Sequence, residues 1–407
     1  MRRIAFWLSL LMIFILPWEG SITIAAVGSI ARLVGFAVAG FWLATILTEG
    51  RFQKPHLFHA LVLLFVLWNV VSLYWTWDQA RTILRIKTYI QLFLLVLILW
   101  ELYKDAEDLQ AGLQAYILGA FVAISGTIIN YVNGRVISTY ELRYSASAVN
   151  AVDLAVILIL GLPIAWHLFI LARNAKRKSI LTLMNFAYMP LAVFSVILTG
   201  SRTSLFTAIP MIIYLMFSGR TKLTGKIVVF IILAISLLVM SFYIPQSIKD
   251  RLATVAVSVR TGDLGGRVNL WRQAIEVLIK QPLLGSGSGT LSTTIGSVAH
   301  NTLLSVLTET GIIGFTFFLF VLMVVFFQAI TLPKGYSGLW LTVLMTWAIG
   351  TSVLTWEFTK PTWLFLSFVM IEARLAHERL NSHETGQEAS AQLVKRSWNR
   401  HFHGANS

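Results

Sequence analysis

The sequence predicts an all-α integral membrane protein, and three observations carry that reading. The chain of 407 residues is 57% hydrophobic and only 12% charged, where a soluble domain carries roughly a quarter charged residues. Apolar runs long enough to cross a bilayer recur from end to end. The polar stretches are too short for a soluble domain. The longest are a loop near 245–299 and a tail after about residue 380. The expected organisation is therefore one transmembrane domain over 1–380, including that loop, and a disordered cytoplasmic tail over 381–407.

Apolar segments fall near 4–18, 29–48, 57–76, 83–102, 112–132, 149–172, 182–199, 203–218, 226–244, 302–330, 338–356 and 361–378. That makes about twelve spans, each close to the ~20 residues that cover ~30 Å of hydrocarbon. The start, MRRIAFWLSLLMIFILPW, has the charge and apolar length of a signal peptide. No small-residue cleavage site follows, so it is read as a retained first span. The 203–218 segment is short, and the 302–330 run is long enough to tilt or protrude. No repeat at a fixed period is visible.

The net charge is +14. In a soluble protein that would suggest nucleic acid, but here its distribution decides, and no nucleic-acid partner is expected. With the N-terminus in the cytoplasm, Arg2/Arg3, Arg51/Lys54, Lys104, the cluster ARNAKRK (Arg173 to Lys178), Arg220/Lys222/Lys226, Lys334 and the tail all fall inside. An even number of spans returns both termini to the cytoplasm. Against that trend Arg81, Arg85, Lys87, Arg135, Arg143, Arg202, Arg251, Arg260, Arg267 and Arg272 fall outside. Long loops translocate regardless of charge, which covers the 245–299 loop. It covers Arg202 poorly, because that residue sits in a turn of a few residues. Outward arginines near span ends suit a ligand bearing phosphates.

Within the outer loop, RVNLWRQAIEVLIK (267–280) places Val268, Trp271, Ile275, Leu278 and Ile279 at helical spacing. It predicts a short amphipathic helix on the membrane surface or over the bundle. Pro282 ends it. The following PLLGSGSGTL is read as a flexible turn, since it lacks the Lys-Ser/Thr of a phosphate loop.

Two places stand out as chemistry. TGSRTSL puts Arg202 among hydroxyls at the start of a span. It is either an arginine reaching for the interface or an anion site built with free helix N–H groups. SVAHNTLLSVL puts His300 and Asn301 at the mouth of the long apolar run. Asn301 suits a helix N-cap. His300 is either an interfacial histidine or a general base working on a hydroxyl. Glu309, Asp153 and Glu357 are expected to make structural hydrogen bonds inside the bundle. His401 and His403 are too few for a metal site. The chain has no cysteine, which excludes disulfides, thiolate metal sites and thiol nucleophiles. No HExxH or outer carboxylate cluster appears, so neither metal nor cofactor is expected.

Taken in order, GSRTSL, GGRVNLWRQAIEVLIKQPLLGSGSGT and AHNTLLSVLTETGIIGF resemble the O-antigen ligase and polymerase superfamily of bacterial envelope proteins. The likeness is close over roughly 195–330 and extends to the first half only as a pattern of spans. The resemblance implies a GT-C-like glycosyltransferase of the inner membrane with a periplasmic site. Its donor would be a glycan on undecaprenyl pyrophosphate. Its acceptor, in the ligases, is lipid A–core oligosaccharide. Transfer would invert the sugar without a metal. Matching the motifs residue by residue assigns Arg202, Arg267 and His300 to the site. Arg202 and Arg267, with Arg272, Arg143 and Arg85, would hold the pyrophosphate. His300 would position or deprotonate the acceptor hydroxyl, and Asn301 would orient the imidazole. A polysaccharide polymerase or a protein O-oligosaccharyltransferase would use the same donor, and the residue chemistry does not separate them from a ligase. Chain length disfavours the protein-glycosylating members. A transporter or flippase would need broken or charged helices at mid-membrane, often in repeated halves; here the polar groups gather on one face.

Overall fold

A computed structural model describes residues 1–24, 28–50, 52–137, 143–146, 149–176, 179–217, 223–255 and 266–403. The chain is an all-α, multi-pass bundle. Its helices are α1 Arg2–Ile15, α2 Ile30–Glu49, α3 Leu57–Val71, α4 Gln79–Leu102, α5 Ala106–Val132, α6 Ala151–Asn174 and α7 Ile180–Leu198. Then follow α8 Thr203–Thr207, α9 Ile209–Phe217, α10 Leu223–Ser241, α11 Gln246–Ala253, α12 Arg267–Lys280, α13 Leu291–Thr294, α14 Thr302–Thr331, α15 Lys334–Thr351 and α16 Lys360–His403. One minimal hairpin, β1 Thr23–Ile24 with β2 Gly28–Ser29, joins α1 to α2.

Each of the twelve apolar segments lies on helix. Among the described residues eight helices are long and apolar enough to cross a membrane, or nine if the bent pair Phe230–Ser241 and Gln246–Ala253 counts as one span. The 203–218 segment divides into α8 and α9, and no single helix of spanning length forms there. The last helix runs on through residues 381–403, which the sequence reading places in the tail. Arg51, Arg177, Lys178, Arg220, Lys222 and Arg260, part of the charge reading, lie outside the described residues.

Short polar residues start these helices. Asp78, Asp105, Asn150, Ser179 and Asn301 each accept a main-chain N–H in the first turn of α4, α5, α6, α7 and α14. Such caps satisfy donors that hydrocarbon cannot. The most buried span is α6, with 89% of its apolar window inside the protein. It packs against α5, α7, α8 and α15. Around the other half, α14 packs on α3, α12, α15 and α16. Chain direction brings the starts of α4, α6, α14 and α16 to the same end as the close of α7. That end also carries α12, and it is where the candidate residues gather.

α14 is not a continuous helix. Gly311 stands at φ 65°, ψ −174°, and breaks it. The PLLGSGSG segment fills the break. Ile312 donates to Pro282 O at 2.9 Å, while Ser286 and Gly287 donate to Thr308 O and Glu309 O, both at 3.0 Å. A β-carbon at Gly285, itself at φ 73°, would lie 2.4 Å from Gly311 N. Only glycine permits that approach. Residues 285–290 are all buried. The expectation of a flexible turn is thus corrected. Main-chain groups freed by the broken helix need partners at this depth, and the glycine segment supplies them.

Candidate active site

Sequence neighbours set the frame of the site. Asn301 caps α14, its Oδ1 accepting Leu304 N at 3.0 Å. The residue before it, His300, stands in left-handed backbone at φ 47°. That region costs a non-glycine residue energy and is often tied to function. Just before it, Ala299 is fully buried, and its carbonyl accepts Trp271 Nε1 of α12 at 3.0 Å. His300 is therefore held between a capped helix start and a carbonyl anchored to the amphipathic helix.

α12 lies over the bundle as predicted, but on a different stripe. Ala274 and Val277 are buried against Leu291 and Ala299, while Val268, Ile275 and Ile279 remain exposed. Small Ala274 lets the helix come close. The larger apolar residues at the expected positions are left facing outward, as an interfacial helix requires. Arg272 is on the exposed side of α12, whereas Arg267, at its first turn, is half-buried.

Arginines crowd this end. Arg143 Nε donates to Thr199 O at 2.8 Å, and Arg251 Nε donates to Gly200 O at 2.9 Å. Two guanidinium groups thus hold consecutive carbonyls of the turn that carries Arg202. Gly200 is at φ 58°, and a β-carbon there would come within 3.2 Å of Arg251 Cδ. Arg251 is the residue the sequence reading left out of the site. Its place in a long loop gave no signal of a contact with a turn 51 residues away.

The charges act on one another. Burial, then the nearby Arg143, holds the Arg267 guanidinium below its ordinary basicity. Burial, then Arg267, holds the His300 imidazole below its ordinary 6.5. His300, Arg267, Arg143 and the Arg202 turn are therefore linked in one electrostatic neighbourhood. Crowded cations raise one another's energy, and an anion placed among them removes that repulsion.

Arg85 is differently placed. Its Nη1 lies 3.1 Å from Glu357 Oε1 and 3.8 Å from Glu309 Oε2, and its guanidinium stacks on the Phe358 ring at 3.7 Å. Glu309 also accepts Gly289 N at 2.7 Å and Leu291 N at 3.3 Å, and Glu357 accepts Ser305 Oγ at 2.9 Å. The two carboxylates engage Arg85 inside the protein, where it ties α4 to the glycine segment, α14 and the 352–359 turn. Asp153 likewise has a structural partner, accepting Trp356 Nε1 at 2.6 Å. Those three acids behave as the sequence suggested.

Beside this end lies a cavity of about 500 Å³ between α1, α2, α4, α6 and the turn before α16. Its wall is mostly apolar, with Leu92, Leu95 and Ile157 inside and Arg32, Asp153 and Lys360 as polar points. Trp356 also lines it, and Trp356 N donates to Thr302 Oγ1 at the head of α14, so cavity and site share a wall. Among the described residues no three His, Asp or Glu side chains converge as a metal would need.

The fold and this site define a multi-pass membrane protein with a histidine and an arginine cluster at one end of its bundle. Residues 187–319 match the family model described as O-antigen ligase, which supports assigning the chain to the O-antigen ligase family. No curated protein matches the chain. The matched segment contains Arg202, Arg251, Arg267, Arg272, His300 and Asn301; Arg85 and Arg143 lie before it. The match supports a glycosyltransferase of the ligase or polymerase type.

Proposed function

We propose that the protein transfers O-antigen glycan from undecaprenyl pyrophosphate to lipid A–core oligosaccharide. Transfer takes place at the periplasmic face of the inner membrane, within a GT-C-like multi-pass bundle whose termini are both cytoplasmic. The observation that carries this reading is the half-buried His300 near Arg267, with Arg143 near Arg267 and bonded to the turn that carries Arg202. Donor pyrophosphate is the anion that this cation cluster suits. Arg202 and Arg267 bind it and stabilise the charge that grows on the leaving diphosphate. Arg143 and Arg251 hold the turn that presents Arg202, and Arg272 meets the anionic acceptor from the exposed side of α12. Arg85, engaged by two carboxylates, supports the site from behind rather than touching phosphate.

His300 takes the proton from the acceptor hydroxyl as its oxygen attacks the anomeric carbon from the face opposite the diphosphate. The new glycosidic bond forms as the bond to the diphosphate oxygen breaks, which inverts that centre. An imidazole held below its ordinary pKa is neutral at pH 7 and ready to accept a proton. Asn301, as helix cap, fixes the backbone from which the imidazole projects. The apolar cavity beside the site offers room for part of a lipid's hydrocarbon chain.

The test is reconstitution of purified protein with undecaprenyl-pyrophosphate glycan and lipid A–core in EDTA. Wild type is expected to transfer glycan, and His300→Ala to lose at least about 10²-fold. Lengthening of the donor glycan without transfer to lipid A–core would make the protein a polymerase. Full activity in His300→Ala would overturn the role of the histidine.

A further inference from the structure

The opposite end of the bundle carries a cleft of its own. Where α6 ends and α7 begins, a cleft of about 840 Å³ opens at the protein surface. Its floor is apolar: Phe169 and Phe186 lean on each other with ring centroids 5.2 Å apart, and Ile180 and Leu183 are 70% and 62% exposed. Its mouth is polar and basic. Arg173, Lys176, Ser179 and Thr182 line it. Ser179 and Thr182 hydroxyls lie 3.1 Å apart on one side. Both cations are exposed, and no carboxylate pairs with either among the described residues.

The sequence explains why no internal partner is near. Between Asp153 and Asp250 the chain contains no Asp or Glu. The one acid on the two helices forming this cleft is Asp153, in the first turn of α6 at the far end from the cleft, where it accepts Trp356 Nε1. A surface cleft with an apolar floor and two cations with two hydroxyls at its rim has the layout of a phospholipid: chain below, phosphate above.

We propose that the α6–α7 cleft is a binding site for an anionic glycerophospholipid. Its phosphate lies between Arg173 and Lys176, and an acyl chain lies along Phe169, Leu183 and Phe186. Charge complementarity selects an anionic headgroup over a zwitterionic one, and the apolar floor selects a lipid over free phosphate. The site is independent of the glycosyl-transfer reading.

The test is native mass spectrometry of the detergent-purified protein titrated with phosphatidylglycerol, phosphatidylcholine or inorganic phosphate. Wild type should retain phosphatidylglycerol over phosphatidylcholine. Arg173→Gln/Lys176→Gln should lose roughly tenfold or more of that preference, in line with the attraction of each cation to an anionic headgroup. Arg173→Lys should keep it, which separates charge from folding, as does an unchanged lipid-free melting temperature in the double variant. Arg2→Gln/Arg3→Gln, which removes two cations at the N-terminus, one half-buried and one exposed, should also keep it. Equal loss in both double variants would reduce the effect to general surface charge and overturn the site. So would unchanged preference in the 173/176 variant, or equal retention of inorganic phosphate.

Discussion

His300 sits on left-handed backbone between a buried alanine and a helix cap, and its charge state is set by its neighbours. Burial and Arg267 both disfavour the imidazolium. A base of this kind loses activity when it is protonated, so the acid limb of kcat/KM should fall below the ordinary histidine value. Arg267→Gln removes one of the two causes. The limb should then move to higher pH, towards 6.5, while KM for the donor rises. A pH–rate profile of wild type and variant checks this, and an unmoved limb would uncouple His300 from Arg267. The helix cap at Asn301 was legible as a residue type at a helix mouth. The left-handed backbone was not, because nothing in local propensity places a histidine there. Arg251 was illegible for another reason: its partner, the Gly200 carbonyl, is brought to it only by tertiary packing.

At the scale of elements, the glycine segment and α14 form one unit. Gly285→Ala would press a methyl group into the backbone of Glu309 and Gly311, and it would also force alanine into φ 73°. Folded yield in detergent is expected to collapse. Glu309→Gln is milder. It removes the charged acceptor for Gly289 and Leu291 and leaves Arg85 with Glu357 alone. A loss of about 1.5–3 kcal/mol is expected for hydrogen bonds to a charged group, read as a lowered melting temperature. A melting temperature equal to wild type would show that Glu309 does not secure the segment. The sequence placed nearly every helix, since apolar length and polar caps are local signals. It misread the glycine segment because flexibility and close backbone packing ask for the same residue, and only the partner helix distinguishes them. α12 was found at its right position but turned, because hydrophobic spacing marks an amphipathic face without saying which apolar residues meet protein and which meet lipid.

Across the whole molecule, the proposed orientation puts α12 outside and the α4–α5 turn inside. A chain without native cysteine makes this directly measurable. A single cysteine at exposed Glu276 should react with a membrane-impermeant maleimide added to intact spheroplasts. One at exposed Lys104 should react only after the membrane is opened. The reverse pattern would invert the topology and move the arginine cluster to the cytoplasmic face. The membrane class was legible from composition alone. The span count was less so, because the 203–217 region shows that an apolar run can be divided between two short helices.

The strap across α14 joins main chain to main chain at most of its contacts. Side chains along it are therefore freer to change than its length. Conservative exchange at Leu283 or Leu284, both exposed, leaves the ladder of donors and acceptors aligned. Insertion or deletion of one residue between 282 and 289 shifts every pairing at once and moves the glycines off their close approaches. This short stretch should thus tolerate point variation at its outer residues and resist any change in spacing, so that its register is the heritable feature and its leucines are ornament.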